Sequence, residues 1–171
     1  MKGILYVVGT PIGNLEDLTF RAASILQSVD LIAAEDTRIS RRLLTHYNIK
    51  TPLIAYHEKN EKSQAEKLIE RLIKGENIAL ISDAGTPTIS DPGTILVKKC
   101  IEENLDVYPI PGSSAVTSAV SVSGFSDQYL FYGFLSKKEN ELNNELKNLC
   151  KLTYSIVFFI PASKINYYIS K

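Results

Sequence analysis

The residues best suited to chemistry fall in four short stretches. Ser82-Asp83-Ala84-Gly85-Thr86-Pro87-Thr88-Ile89-Ser90-Asp91-Pro92-Gly93 joins one carboxylate, Asp83, to several hydroxyls and to backbone amides near Gly85, where no Cβ blocks approach. Such a surface suits a polar small molecule. Gly9-Thr10-Pro11-Ile12-Gly13-Asn14 and Pro109-Ile110-Pro111-Gly112-Ser113-Ser114-Ala115 have a similar character. A Gly/Pro-rich loop can merely turn the chain, but here three of them each follow an apolar run. In an open parallel sheet, ligands bind beyond the carboxyl ends of the strands, so the three loops are expected to converge on one crevice. The fourth stretch, Glu35-Asp36-Thr37-Arg38, sets paired carboxylates and a guanidinium where they could orient a nucleophilic hydroxyl. Its plainer reading, a helix cap with an exposed ion pair, is favoured by position alone.

Standard fingerprints test these loops. Glu35 sits where a dinucleotide fold places its acidic residue, but the first loop has only Gly9 and Gly13, with Pro11 between them, and several residues precede the helix. No G-x-x-x-x-G-K-[ST] sequence is present, which argues against a mononucleotide kinase. Ser113-Ser114 lacks the G-x-S-x-G elbow, so its hydroxyls read as binding groups. His57 precedes a helix as a solvated or capping residue, His46 reads as helix surface, and no second histidine at metal spacing supports a zinc site.

The elements that must position these residues alternate at short intervals. Strands are expected in the apolar run of Met1–Gly9 and at Val29–Ala34, Thr51–Tyr56, Ile78–Ile81 and Asp106–Ile110. Between them lie a helix capped by Thr19, a second with Ile39, Leu43, Leu44 and Tyr47 on one face, and a third opening at His57 with Ala65, Leu68, Ile69, Leu72 and Ile73 inward. Gly75 ends the third. A fourth helix is expected to take Asp91 as N-cap and Pro92 as its first residue, and to bury Ile95, Leu96, Cys100 and Ile101. This rhythm predicts right-handed crossovers and a mainly parallel sheet. A small-residue helix over 113–122 and a hinge at Ser123–Asp127 follow. A second rhythm then begins, with strands at Tyr129–Phe134 and Tyr154–Ile160, a helix burying Leu142, Leu146, Leu149 and Cys150, and a last short helix over 161–171. Residues 1–122 are thus expected to form an N-terminal α/β domain, and 123–171 the start of a second, incomplete one, since so small a unit buries little surface.

With 19 basic and 19 acidic residues among 171, no global field draws the chain to nucleic acid or membrane. Any RNA contact must rest on a local patch; Arg38, Arg41 and Arg42 form a small basic cluster and, with Lys137 and Lys138, could meet phosphates, their ordinary role being solvated helix surface. The apolar content of 44% suits a soluble core. The first apolar run is too short for a signal sequence and no stretch approaches a membrane span, so a cytoplasmic location is expected. Cys100 and Cys150 are isolated and read as reduced core residues.

Gly9-Thr10-Pro11-Ile12-Gly13-Asn14-Leu15, Ala33-Ala34-Glu35-Asp36-Thr37-Arg38, Ser82 to Gly93 and Pro111-Gly112-Ser113-Ser114-Ala115, in that order, resemble the ribosomal RNA small-subunit methyltransferase I family of the tetrapyrrole methylase superfamily. The resemblance implies two α/β domains with S-adenosylmethionine folded in the cleft between them, usually in a homodimer. It implies transfer of a methyl group to the ribose 2′-hydroxyl of a cytidine in 16S rRNA of the small ribosomal subunit, with no membrane or DNA partner. Carried onto this chain, the cofactor residues are Gly9, Thr10, Pro11, Ile12, Asp83, Ala84, Gly85, Thr86, Ser113, Ser114 and, from a strand of the second domain, Phe159. Glu35, Asp36 and Arg38 are the candidates for handling the ribose proton and its surroundings, and no metal is implied. Relatives carry Glu-Ser-Pro-His-Arg where this chain reads Ile160-Pro161-Ala162-Ser163-Lys164, and they continue further. A tetrapyrrole-type small-molecule methylase and a non-catalytic RNA- or ribosome-binding remnant are the alternatives.

Overall fold

An uninterrupted apolar run such as Ile78-Ala79-Leu80-Ile81 is satisfied only where both faces of a strand are covered. It forms the central strand of a five-stranded parallel sheet. The computed structural model describes residues 1–125 and 128–171. It divides into two compact units, Met1–Ala115 and Val116–Lys171. In the first, strands β1 (Ile4–Val8), β2 (Leu31–Ala34), β3 (Leu53–Ala55), β4 (Ile78–Ile81) and β5 (Asp106–Ile110) lie in the order β3-β2-β4-β1-β5, every neighbouring pair parallel. All four residues of β4 are buried, as are all four of β2.

The two-residue period of the strands sorts their side chains between two cores. Ala79 and Ile81 of β4, with Ile32 and Ala34 of β2, pack with Ala22 and Leu26 of α1 (Phe20–Ser28) and Leu43 and Leu44 of α2 (Thr37–His46). Ile78 and Leu80, with Leu31 and Ala33, pack with Leu68 and Leu72 of α3 (Glu61–Ile73) and Leu96 and Cys100 of α4 (Thr94–Glu102). The sheet therefore carries α1 and α2 on one face and α3 and α4 on the other. β3, with Pro52 just before it, is an edge strand, as proline requires.

Helix starts and faces differ in places from the sequence expectation. Thr19 caps α1 by accepting the Ala22 amide, as expected. α4 begins at Thr94 rather than Pro92, because Ser90 at φ 66 and Gly93 at φ 134 hold the backbone outside the helical region. Asp91 is thus a loop residue and not the cap. α3 begins at Glu61, since Asn60 ties 57–60 into a turn by accepting the His57 amide and donating to the Ala55 carbonyl. Ile39, Ile73 and Ile101 point outward, and Ser40 takes the buried position expected of Ile39. The sheet covers a narrower stripe of each helix than the apolar residues occupy. Cys100 is buried, but Cys150 caps a helix end and is exposed, which corrects its assignment to the core.

The second unit contains most of α5 (Ala115–Ser123), then β6 (Tyr129–Phe134), α6 (Glu139–Leu149), β7 (Ser155–Phe159) and α7 (Ile165–Ile169). β6 and β7 form a parallel pair with a bulge at Tyr132-Gly133, where Gly133 adopts φ 83. Leu135, Leu142 and Leu149 make its small core. The expected hinge Ser123–Asp127 includes Ser126 and Asp127, which lie outside the described residues.

Gly9 and Gly112 cross in backbone contact where β1 and β5 end: a Cβ on Gly9 would lie 2.8 Å from the Gly112 Cα, and one on Gly112 2.8 Å from the Gly9 carbonyl oxygen. Since backbone cannot rotate away as a side chain can, Gly9→Ala is expected to lower the free energy of unfolding by about 1–3 kcal/mol. A urea titration reads this, and an unchanged midpoint would mean that the two segments separate without cost.

Candidate functional site

β4 differs from both its neighbours in where its chain goes next. β1 and β2 lead to helices on one face, whereas β4 leads to α4 on the other, so the loops part at the carboxyl edge of β4. That divergence opens a crevice in parallel sheets. Reciprocal bonds hold its walls. The Thr10 amide donates to the Gly85 carbonyl at 2.8 Å and the Gly85 amide to the Thr10 carbonyl at 3.0 Å, a two-residue antiparallel bridge between the β1 and β4 loops. The buried Thr10 hydroxyl reaches the Ser82 and Gly85 carbonyls at 3.2 and 3.3 Å. Gly85 accommodates this at φ 85, a conformation glycine adopts without strain.

On the β2 side the two loops exchange bonds again. The Asp36 amide donates to Asp83 Oδ1 at 2.9 Å, and the Asp83 amide to Glu35 Oε2 at 3.4 Å. Asp36 itself caps α2, accepting the Arg38 amide, and pairs with the Arg38 guanidinium at 2.6 Å. Its plainer role is thus filled. The β5 loop joins through Gly112 on Gly9 and through the Thr86 hydroxyl, 3.4 Å from the Ser113 carbonyl. Gly9, Thr10, Pro11 and Gly85 are buried, Asp83, Thr86, Ser113 and Ser114 are half-buried, and Ile12 and Ala84 are exposed. The structure therefore brings the expected residues of the first unit to one edge of the sheet. Phe159 belongs to the second unit, at the end of β7, where its ring packs on those of Phe131 and Phe134.

Three carboxyls, Glu35, Asp83 and Asp91, share this edge and form no ion pair among the described residues, although the Arg38 charge acts on Asp83. Burial raises Glu35 above its ordinary value of 4.5, opposed by the Asp83 amide and reinforced by the charges of Asp83, Asp91 and Asp36. Burial also raises Asp83, opposed by the Asp36 amide, and raises Asp91, opposed by the Ser82 hydroxyl it faces. That hydroxyl is buried and forms no hydrogen bond of standard geometry. Asp36 is the contrast: its bonds from Arg38 hold it well below the usual carboxylate range. Glu35 and Asp91 line a cavity of about 380 Å³ with Glu58, Glu61 and Thr94. Asp91 is the residue that sequence reasoning placed in a helix cap instead of here. Its neighbour Ser90 adopts positive φ, a turn for which the sequence carries no signal.

This arrangement can do two things. The bridged loops offer backbone donors and acceptors in fixed positions to a small polar ligand. Glu35, with a raised affinity for protons, can hold or accept one at the rim.

Comparison with known proteins gives consistent relatives. The chain is 49% identical over 166 residues to "Ribosomal RNA small subunit methyltransferase I" of Pasteurella multocida (strain Pm70), covering 96% of this chain and 59% of that protein. It is 52% identical over 158 residues to the protein of the same name from Bacillus subtilis (strain 168), covering 92% and 54%. The chain thus spans less than two thirds of the length of these curated relatives. Among solved structures it resembles diphthine synthase (TM-score 0.74, 13% identity, 93% of this chain and 64% of that one). It also resembles the native uroporphyrin-III C-methyltransferase of Thermus thermophilus (TM-score 0.70, 14% identity, 98% and 75%). These two likenesses show the fold. The signature described as Tetrapyrrole (Corrin/Porphyrin) Methylases matches residues 4–167, nearly the whole sequence, and the chain belongs to that family.

Proposed function

We propose that this chain serves S-adenosylmethionine-dependent methylation of the ribose 2′-hydroxyl of a cytidine in 16S rRNA of the small ribosomal subunit. The names and near-half identity of the relatives support the rRNA substrate. The observation that carries the cofactor reading is the Thr10–Gly85 bridge, which closes two glycine-bearing loops beside Asp83 and against the Ser113 loop.

The residues present fit such a cofactor. A sulfonium with an α-amino group is cationic, and the edge carries Glu35, Asp83 and Asp91, whose mutual repulsion a cation relieves. The second oxygen of Asp83 accepts no hydrogen bond from the described residues and is free for a ligand donor. Gly9 through Ile12, Asp83 through Thr86 and Ser113-Ser114 would hold the group, which supplies an electrophilic methyl carbon. Most of the rate in such a displacement comes from positioning. The chain's own contributions are loops locked by backbone bonds, Glu35 to accept the ribose proton, and Asp36 to fix Arg38 at the rim. Asp36 serves as a positioning residue.

Asp83→Ala and Gly85→Val are expected to weaken S-adenosylmethionine binding at least tenfold by calorimetry, the first through lost charge and the second through a Cβ at φ 85. Unchanged affinity in both removes the assignment. A methylation assay offering small ribosomal subunits beside a porphyrinoid decides between the RNA substrate and a tetrapyrrole.

Glu35 carries a pH signature. A raised pKa means that the carboxyl stays protonated, and unable to accept, to a higher pH than an ordinary glutamate. Methyl transfer should therefore rise with pH through a step above 4.5. Glu35→Gln should abolish that step and lower kcat about 10²-fold or more, with a smaller loss of cofactor affinity than Asp83→Ala shows. An unaltered pH profile in Glu35→Gln assigns the proton to solvent.

A further inference from the structure

The basic cluster of α2 lines a groove of about 650 Å³ whose other wall is Leu15, in the loop that follows β1. We propose that this groove holds the phosphate backbone of single-stranded RNA leading to Glu35, with Arg41 and Arg42 as the phosphate contacts. The proposal rests on the reading of the chain as an RNA methyltransferase and adds the surface that would bring the strand in.

Three features of the groove carry it. Arg38, Arg41 and Arg42 line it together with His46, and among the described residues no carboxylate does, although the chain as a whole carries no net charge. Arg41 and Arg42 are exposed and form no ion pair among the described residues, whereas Arg38 is committed to Asp36 through two side-chain bonds. Guanidinium groups left unpaired in a concave surface suit phosphate, which they grip through fixed, planar donors.

The second feature is continuity with the carboxylate edge. α2 starts at Thr37, one residue past Asp36, whose amide is bound to Asp83. The Leu15 wall belongs to the segment that runs on from Gly9–Ile12, and the Tyr47 hydroxyl fastens it to α2 by donating to the Leu15 carbonyl. One loop therefore borders both the site and the groove. The third is the contrast of sign on the two faces of the sheet. The cavity toward α3 and α4 gathers Glu35, Glu58, Glu61 and Asp91, a field that repels phosphate, so a polyanion approaching Glu35 is directed to the α2 side. The Leu15 side chain and the His46 imidazole add apolar and planar surface against which unstacked bases can lie.

The test measures anisotropy of a fluorescein-labelled single-stranded oligoribonucleotide with the full chain, across a salt series. Replacing both arginines, Arg41→Ala with Arg42→Ala, is expected to weaken RNA binding about tenfold and to reduce the slope of log affinity against log salt by about 1.4, two phosphates at about 0.7 each. Thermal midpoint and S-adenosylmethionine affinity should not change. Lys62→Ala with Lys67→Ala, two exposed charges on α3 removed, should leave RNA affinity as it was. The proposal is overturned if the unaltered chain does not bind the RNA, or if the arginine variant keeps its affinity and salt slope. It is also overturned if the lysine variant loses as much, or if polyglutamate displaces the RNA more readily than unlabelled RNA does. RNA binding that depends on the two arginines without any methyl transfer would count against the proposed reaction alone and leave the groove standing.

Discussion

Everything at the carboxyl edge of the first unit depends on β4 being flanked by strands whose chains leave toward the opposite face. Had β4 continued to the same side as β1 and β2, adjacent loops would pack side by side and close the edge. Because they diverge, the backbone groups of Thr10 and Gly85 satisfy each other across the gap, while on the other side the Asp36 and Asp83 amides donate to the carboxylates of Asp83 and Glu35. The crevice and the bonds that brace it have one topological cause. The wholly apolar β4 sequence is what permits that topology, since only a strand covered on both faces can occupy the pivot.

The bracing brings charge into a confined place. Asp83 serves the protein through one oxygen and its own amide, and this draws Glu35 and Asp36 close to it. Asp36 discharges its burden on Arg38 and the first turn of α2; Glu35, Asp83 and Asp91 form no ion pair among the described residues, and burial raises all three. Thr88 and Ser90, at φ 72 and 66, are costly conformations for residues with a Cβ, roughly 1–3 kcal/mol each. They sit in the same loop. An edge that holds both unneutralised carboxyls and strained backbone is arranged for something other than stability.

Much of this was legible in the residues. β4, β5 and β6 match their expected bounds: β4 is an apolar run cut off by Ser82, β5 ends at Pro111, and β6 is a run rich in aromatic residues. The convergence of the β1, β4 and β5 loops followed from strand-helix alternation alone. Strand order did not, because periodicity reports which side chains are inward and says nothing about which strand is adjacent. Asp91-Pro92 has the look of a cap and first turn, yet positive φ at Ser90 and Gly93, a property of the folded loop, delays the helix to Thr94. Ile39, Ile73 and Ile101 fit the helical period but lie at the margin of a stripe whose width is set by the sheet beneath. The exchange between Glu35, Asp36 and Asp83 spans 47 residues or more in sequence, and no local pattern announces it.

The register of β1 carries a consequence for how the chain is made. Leu5 pairs with Ile78 on one side and with Val107 on the other, so β1 is synthesised well before either strand it pairs with. At about 5–20 residues per second, β1 waits several seconds with both edges bare. Non-local pairing of this kind slows folding, and an unpaired apolar strand invites intermolecular association in the interval.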